Sequence, residues 1–341
     1  MNGSIGAALL LCGLVAGSFA KEPAAGVPVA MPGGGAGIGF DDLGYAAGLK
    51  RVLVPGGRTG KIFLIDPSGR AVTAMDGFTA DAAYAGGHGE GVTSADEGRG
   101  LLFGTDRNLG TVDAVDPKTG RIVSSAKLSG GPDYVRYVPS TGEVWVSEPD
   151  AERIEIFSLS SGKGPLTMTK TAEISVPGGP EFLIIDDSRR CAYSNTWKGE
   201  SLAVGLKSRA VEARWPNGCA GSRGLALDAK RGFLLVGCDE GKAVVLDAAH
   251  GGKALSSLAA GRGVDVIAYS ASLRHLYLPG SASATMAILS VSDAGALKLL
   301  RTVKTAKGAH CAAADESGGA WVCDPDSGRL LFFQDAASGK D

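Results

Sequence analysis

The sequence predicts an all-β, seven-bladed β-propeller, and three observations carry that prediction. Units of paired apolar strands recur about every 40–50 residues, the period of propeller blades. Glycine is abundant, at 52 of 341 residues, and aromatic residues are few at 6%. The turns between apolar segments repeat one chemistry, as a chain of short strands requires.

The repeat is clearest from Asp133 to Ser147, where an acidic residue opens an apolar strand, Pro-Ser-Thr-Gly turns the chain, and a second apolar strand follows. Glu181–Ser194 and Asp265–Leu278 read the same way. Asp41, Glu90, Ser222 and Ala309 occupy the equivalent starts, so the spacings are 49, 43, 48, 41, 43 and 44. Seven starts give seven blades. Third strands and their turns also recur, at Lys61–Arg70, Thr111–Arg121 and Ala243–Asp247. In the Asp-Pro turns, Pro presets φ, Asp accepts from nearby amides, and Gly supplies positive φ.

The seventh blade ends early, with Leu330–Phe333 as its third strand and little chain beyond. An open edge there is a liability. Val27–Met31 is the expected donor of the missing outer strand, closing the ring from the N-terminal side; Pro28 is tolerable on an edge. The organisation is therefore 1–20 leader, 21–39 N-terminal segment, 40–335 propeller and 336–341 tail.

Residues 7–16 form an apolar run with Ser18 and Ala20 at the −3 and −1 positions of a cleavage site. This reads as a signal peptide cleaved after Ala20, and the run is too short to span a bilayer. The expected location is periplasmic or secreted, with no membrane span. The net charge is −2 and the sequence pI about 6.1, which gives phosphate-driven nucleic-acid binding little support. An oxidising compartment favours disulfides. Cys311 and Cys323 face one another across a predicted hairpin, and Cys219 and Cys238 bracket the fifth blade, so both bridges are expected. Cys191 is left as a free thiol.

The blades resemble those of the YVTN-type propellers, the bacterial periplasmic and surface-layer repeat group. The resemblance rests on the strand pair plus the turns at 64–72 and 114–123, and on Cys219–Cys238, and it covers nearly the whole mature chain. The signature tetrapeptide itself is replaced by Val52-Leu-Val-Pro55 and Leu276-Tyr-Leu-Pro279. The resemblance implies the fold; it implies no particular chemistry.

Inner strands line the channel, so the repeat starts predict a ring at one channel mouth: Asp41, Glu90, Asp133, Glu181, Ser222, Asp265 and Ala309. Arg223 and His310 adjoin the two gaps, and His88 precedes Glu90. Two readings of the acids stand. They cap neighbouring amides in every blade, or they form a site for a small ligand, protein partner or cation. In the second reading Glu90, Asp133, Glu181 and Asp265 are metal-ligand candidates for Ca²⁺, Mg²⁺ or Mn²⁺. Gly89-Glu90-Gly91 and Gly179-Pro180-Glu181 loosely resemble gluconolactonase and regucalcin-type propellers, which implies a lactonase-like hydrolase with His310 as general acid/base. Arg223 is a counter-ion to the acids or a clamp for an anion. Trp197 is a loop aromatic suited to anchoring a partner. Loop charges on the same face include Asp106, Arg107, Glu148, Asp150, Lys198, Asp239, Glu240, Asp324 and Asp326. There is no GxSxG elbow, HExxH, P-loop or dinucleotide fingerprint.

Overall fold

The computed structural model describes residues 26–160, 162 and 164–336. The expected leader, residues 1–20, and most of the expected tail lie outside the described residues.

Seven four-stranded antiparallel sheets form the ring. The first blade runs Gly44–Ala46, Arg51–Pro55, Thr59–Ile65 and Val72–Ala80 from channel to rim. The second is Val92–Gly98, Leu101–Asp106, Thr111–Asp116 and Arg121–Lys127, and the third Val135–Val138, Glu143–Glu148, Arg153–Leu159 and Met168–Ser175. The fourth is Ile184–Asp186, Cys191–Thr196, Glu200–Gly205 and Ala210–Pro216. The fifth is Ser222–Asp228, Phe233–Cys238, Lys242–Asp247 and Lys253–Ala259, and the sixth Ala268–Ser270, His275–Gly280, Thr285–Val291 and Leu297–Lys304. Middle strands are buried throughout while outer strands alternate, as in Arg121–Lys127 and Ala210–Pro216. That is the pattern of a blade covered on both faces except at its rim.

The seventh blade holds Ala312–Ala314, Gly319–Asp324 and Arg329–Gln334, and its outer strand is Val27–Ala30. Val27 faces Phe332 and Ala30 faces Arg329. The ring is thus closed from the N-terminal side, as expected. Pro28 sits opposite Leu331 on the free edge, where its missing N–H costs no ladder bond. Val29 and Met31 point into the core.

Between third and fourth strands the register shifts at Ala114/Val115, Ile156/Phe157, Ala203/Val204, Val245/Leu246 and Ile288/Leu289. These repeated bulges strengthen the twist that lets the outer strands splay. One turn differs from expectation. In the second blade Gly120 takes the left-handed conformation (φ 69°), but in the first the equivalent residue is Arg70 (φ 57°), not Gly69. The two turns have the same length, the Arg70 amide donating to Asp66 O at 2.7 Å and the Gly120 amide to Asp116 O at 2.8 Å, but Gly69 stands one residue before the left-handed position; Asp66 accepts from the Ser68 amide at 3.1 Å.

Large side chains from the second strands fill the space between blades, with Trp145 and Trp321 fully buried. Each indole N–H has a carboxylate acceptor, Glu143 at 3.2 Å and Asp315 at 2.7 Å, as a buried donor requires. No helix among the described residues is long and apolar enough to cross a membrane.

Candidate functional site

The predicted acids do not open the inner strands. Asp41, Asp133, Glu181 and Asp265 stand two or three residues before them, in the loops over one channel mouth. Their backbones are fixed there by the neighbouring second strands: the Asp133 amide donates to Ser147 O and that of Glu181 to Asn195 O, both at 2.9 Å. This leaves the side chains free to converge. They do so at the floor of a cavity of about 830 Å³. Asp133, Glu181, Asp265, Arg223, His88, His310 and Trp197 line it, while Asp41 is buried just beneath, 1% exposed.

Glu90 does not join them. It lines a separate small space with Arg58 and Tyr84. The cause is the long loop between Ala80 and Val92, whose Gly86, Gly87 and Gly91 all take positive φ and turn His88, not Glu90, over the mouth. His88 Nδ1 lies 3.1 Å from Asp41 Oδ2 and Nε2 lies 3.9 Å from Asp265 Oδ2. It therefore takes the bridging place expected of an acid.

Arg107 is the main residue that sequence reasoning left among ordinary loop charges. Its guanidinium reaches Asp41 at 3.4 Å and Asp133 at 2.5 Å. The signal was the residue before it. Asp106 is buried and accepts from the amides of Asn108, Leu109 and Thr79 at 2.7–3.1 Å, which bends the loop so that Arg107 points inward. Glu148, Glu240 and Asp324 play similar anchoring parts in their own blades, through Arg153, the 220–221 amides and Arg329. Of the remaining loop acids, Asp150, Asp239 and Asp326 line the cavity rim.

Arg223 pairs with Glu181 at 3.1 Å and stacks its guanidinium 5.7 Å from the centre of the Trp197 ring. The contact with Glu181 is the counter-ion pairing expected of Arg223, and Trp197 stands half-exposed at the mouth rather than packed between blades. Below the floor, Tyr134 donates to Asp41 at 3.3 Å and packs on Phe182 with ring centres 4.4 Å apart. Arg136 lies over both rings and bonds both oxygens of Asp42, at 2.6 and 2.9 Å. This stack lies between the mouth cavity and a space of about 370 Å³ further along the channel.

Crowding and burial set the protonation states. Burial pushes the Glu181 carboxyl up to about 9, helped by Asp133 and Asp265. Burial and the Asp41 carboxylate push Asp133 up to about 8, against the pull of Arg107. Asp265 is raised by burial and by Asp41. Asp41 is the exception. Burial alone raises it, but the facing His88, Arg107 and His310 outweigh that and hold it at about 2. The Asp41 carboxylate in turn raises His88 to about 9.

His310 is fixed as a cation. Its Nδ1 lies 2.6 Å from Gly308 O and its Nε2 2.9 Å from Phe40 O. A carbonyl oxygen only accepts, so both ring nitrogens must donate. No lone pair is left to take a proton from a substrate, which removes the basis for His310 as a general base. The expected metal quartet is not assembled either. Among the described residues, the donor groups within 4.8 Å of one another are His88–Asp265–His310, His310–Cys311–Cys323 and Cys219–Cys238–Glu240; none includes Glu90, Asp133 or Glu181. The physical reason is that Asp133 and Glu181 are each turned onto an arginine.

The Cys219–Cys238 disulfide is present and ties the loop before the fifth blade to the end of its second strand. The second expected bridge is not. Cys311 and Cys323 are free and fully buried, and Cys191 is free, as expected, and buried in its own site. Cys323 Sγ instead accepts from the amides of His310 and Cys311, at 3.3 and 3.2 Å.

No family model and no curated protein matches the sequence. Solved structures do match in shape. A chain of a mitotic checkpoint complex aligns with a TM-score of 0.70 at 12% identity, over 97% of this chain and 99% of its own. A chain of Kuenenia stuttgartiensis hydrazine synthase gives 0.70 at 12%, over 96% and 100%, and the Cps50 (Swd1) β-propeller domain from Myceliophteria thermophila 0.69 at 12%, over 89% and 98%. At such identities the likeness speaks for the fold alone: the chain is a seven-bladed β-propeller.

Proposed function

We propose that this propeller is an exported, non-catalytic binding scaffold of the YVTN type whose channel-mouth cavity takes a small organic cation. One observation carries the reading. The inner acids of the cavity are matched by Arg107, Arg223, His88 and His310, whereas the rim aspartates Asp150, Asp239 and Asp326 have no ion-pair partner among the described residues. A half-exposed indole, Trp197, stands beside them. Unpaired carboxylates draw a positive group in, and an aromatic face adds a cation–π and stacking surface.

The hydrolase alternative has less support. It needs a metal-ready group of carboxylates and a histidine with a free lone pair, and the pairings above occupy both. Export rests on the segment 7–20 alone. Calorimetric titration with a linear diamine, its monoamine and a matched dicarboxylate tests the ligand class. The diamine should bind best and weaken in Trp197→Ala and in the Asp239→Asn/Asp326→Asn double variant. Equal binding of the dicarboxylate overturns the reading. Metal analysis of protein purified without chelator separates the two functions: about one bound divalent ion, with lactone hydrolysis that depends on it, would favour the enzyme. The mass of the protein from the periplasm tests cleavage after Ala20.

A further inference from the structure

Cys191 and Cys323 are both buried free thiols, yet they are held in opposite ways. The Cys191 thiol donates to Ala192 O at 3.3 Å, the behaviour of a neutral S–H. Cys323 Sγ receives instead. The His310 amide lies 3.3 Å away and the Cys311 amide 3.2 Å away, both donating to sulfur. The Cys323 amide meanwhile donates to Cys311 O at 3.1 Å. Had the hairpin ladder continued, the Cys311 N–H would have gone to a backbone carbonyl; here a sulfur takes that place.

Two amides aimed at one sulfur are an outer shell of the kind that orients and stabilises a metal-bound thiolate. The other donors are in place. Register pairs Ala312 with Val322, so Cys311 stands directly across from Cys323. Their sulfurs and a nitrogen of His310 all lie within 4.8 Å of one another, with His310 Nδ1 3.9 Å from Cys323 Sγ. Two sulfurs at metal–thiolate distances of about 2.3 Å from one ion are at most about 4.6 Å apart, so the pair needs little movement. The set is two soft sulfurs and one imidazole with no carboxylate in it, which selects thiophilic ions over Ca²⁺ or Mg²⁺. There is also a way in. Both thiols are 0% exposed, but His310 lines the mouth cavity.

We propose that Cys311, Cys323 and His310 form a binding site for one soft monovalent metal ion of the Cu(I) class, distinct from the cation cavity above it. The two thiolates are the principal ligands. His310 completes the site by exchanging its Nδ1 bond to Gly308 O for the metal. Binding releases the thiol protons and also the Nδ1 proton that His310 shares with Gly308 O, since a ring nitrogen coordinates only without its proton, and it requires no change of oxidation state.

The test is anaerobic titration of the reduced full chain with Cu(I) against a competing chelator. One equivalent should bind with a near-ultraviolet sulfur-to-metal band. Cys311→Ser and Cys323→Ser should each weaken binding by roughly 100-fold or more, His310→Gln by about 10–100-fold. Cys191→Ser and Trp197→Ala should leave it unchanged, the second because it reports on the cavity alone. Thermal melts of the metal-free variants show that each is folded. X-ray absorption on the wild-type complex needs no variant and should find two sulfur and one nitrogen neighbours. Undiminished binding by Cys323→Ser, or a metal surrounded only by nitrogen and oxygen, overturns the proposal. So does a Cys311–Cys323 disulfide in the isolated protein whose reduced form takes up no Cu(I).

Discussion

Asp41→Asn isolates the charge at the centre of the mouth while keeping the shape of the side chain. Asp41 is 1% exposed and faces His88 Nδ1 at 3.1 Å, Arg107 at 3.4 Å and the Tyr134 hydroxyl at 3.3 Å. Its carboxyl falls from 3.8 to about 2 in the folded chain. At 1.36 kcal/mol per unit that difference stabilises the folded state by about 2.5 kcal/mol. The sign follows from linkage: the contribution is complete above pH 4, where the unfolded group is also ionised, and is lost as pH falls from about 4 to 2. Removing one partner of a buried ion pair costs about 3–5 kcal/mol, so Asp41→Asn should lower stability by about 3 kcal/mol at pH 7. For a chain of this size that is a fall of roughly 5 °C in Tm, shrinking as pH approaches 2. A second readout is independent of stability. The His88 imidazole, raised to about 9 by Asp41, should titrate clearly lower in the variant, where burial and His310 lower it and Asp265 is the carboxylate left to raise it. The chain has four histidines, so selective ¹³C labelling with His88→Gln as the assignment control resolves the signal by NMR. Because His88 binds its proton more tightly when folded, wild-type stability should also fall as pH rises from 6.5 to 9, and Asp41→Asn should flatten that slope. A His88 that titrates above 8 in the variant, or near 6.5 in the wild type, refutes the pairing.

Removing residues 26–31 strips the outer strand from the seventh blade. Val29 and Met31 each lose burial worth about 1.5–3 kcal/mol, so Tm should drop and the bared Arg329–Gln334 edge should promote aggregation, read by light scattering; an unchanged melt refutes closure. Replacing Cys219 and Cys238 together by serine opens a loop of 19 residues' separation and should cost about 3 kcal/mol on chain-entropy grounds, with no loss if the wild type is reduced beforehand as a control. Asp335→Ala leaves His275, Tyr277 and Arg301 without the carboxylate they share, His275 at 2.7 Å and Tyr277 at 2.9 Å. Both rings are buried, so the variant should lose about 2–4 kcal/mol; a loss under 0.5 kcal/mol by calorimetry would show the staple to be idle.

The fold was legible because its information is periodic. Each blade must bury two middle strands and turn four times, so apolar runs and turn residues recur with the blade. Even the missing outer strand could be located, since a seventh blade with three strands demands a donor and, once the apolar run 7–16 is read as a leader, Val27–Met31 is the apolar segment left before the ring. Finer turn chemistry escaped the pattern. Gly69 and Gly120 look equivalent in sequence, yet the left-handed position is the fourth residue after the turn's Asp, which is Gly120 in the second blade and Arg70 in the first.

The site was legible only where it shares that periodicity. Asp41, Asp133, Glu181 and Asp265 recur with the blades and do converge. Glu90 shares their frame but not their position, because the loop from Ala80 to Val92 is longer than its counterparts and delivers His88 in its place. Arg107 carries no periodic mark at all; its direction is decided by three amides donating to Asp106. The same holds for Cys323, whose sulfur is recruited by backbone N–H groups rather than by its facing thiol. In this molecule strands set where the acids stand, and loops set which charge each acid meets. A repeat can therefore be read to count the carboxylates at a channel mouth, while their protonation and their partners follow from the irregular segments between repeats, where the symmetry of the ring is broken and a specific site becomes possible.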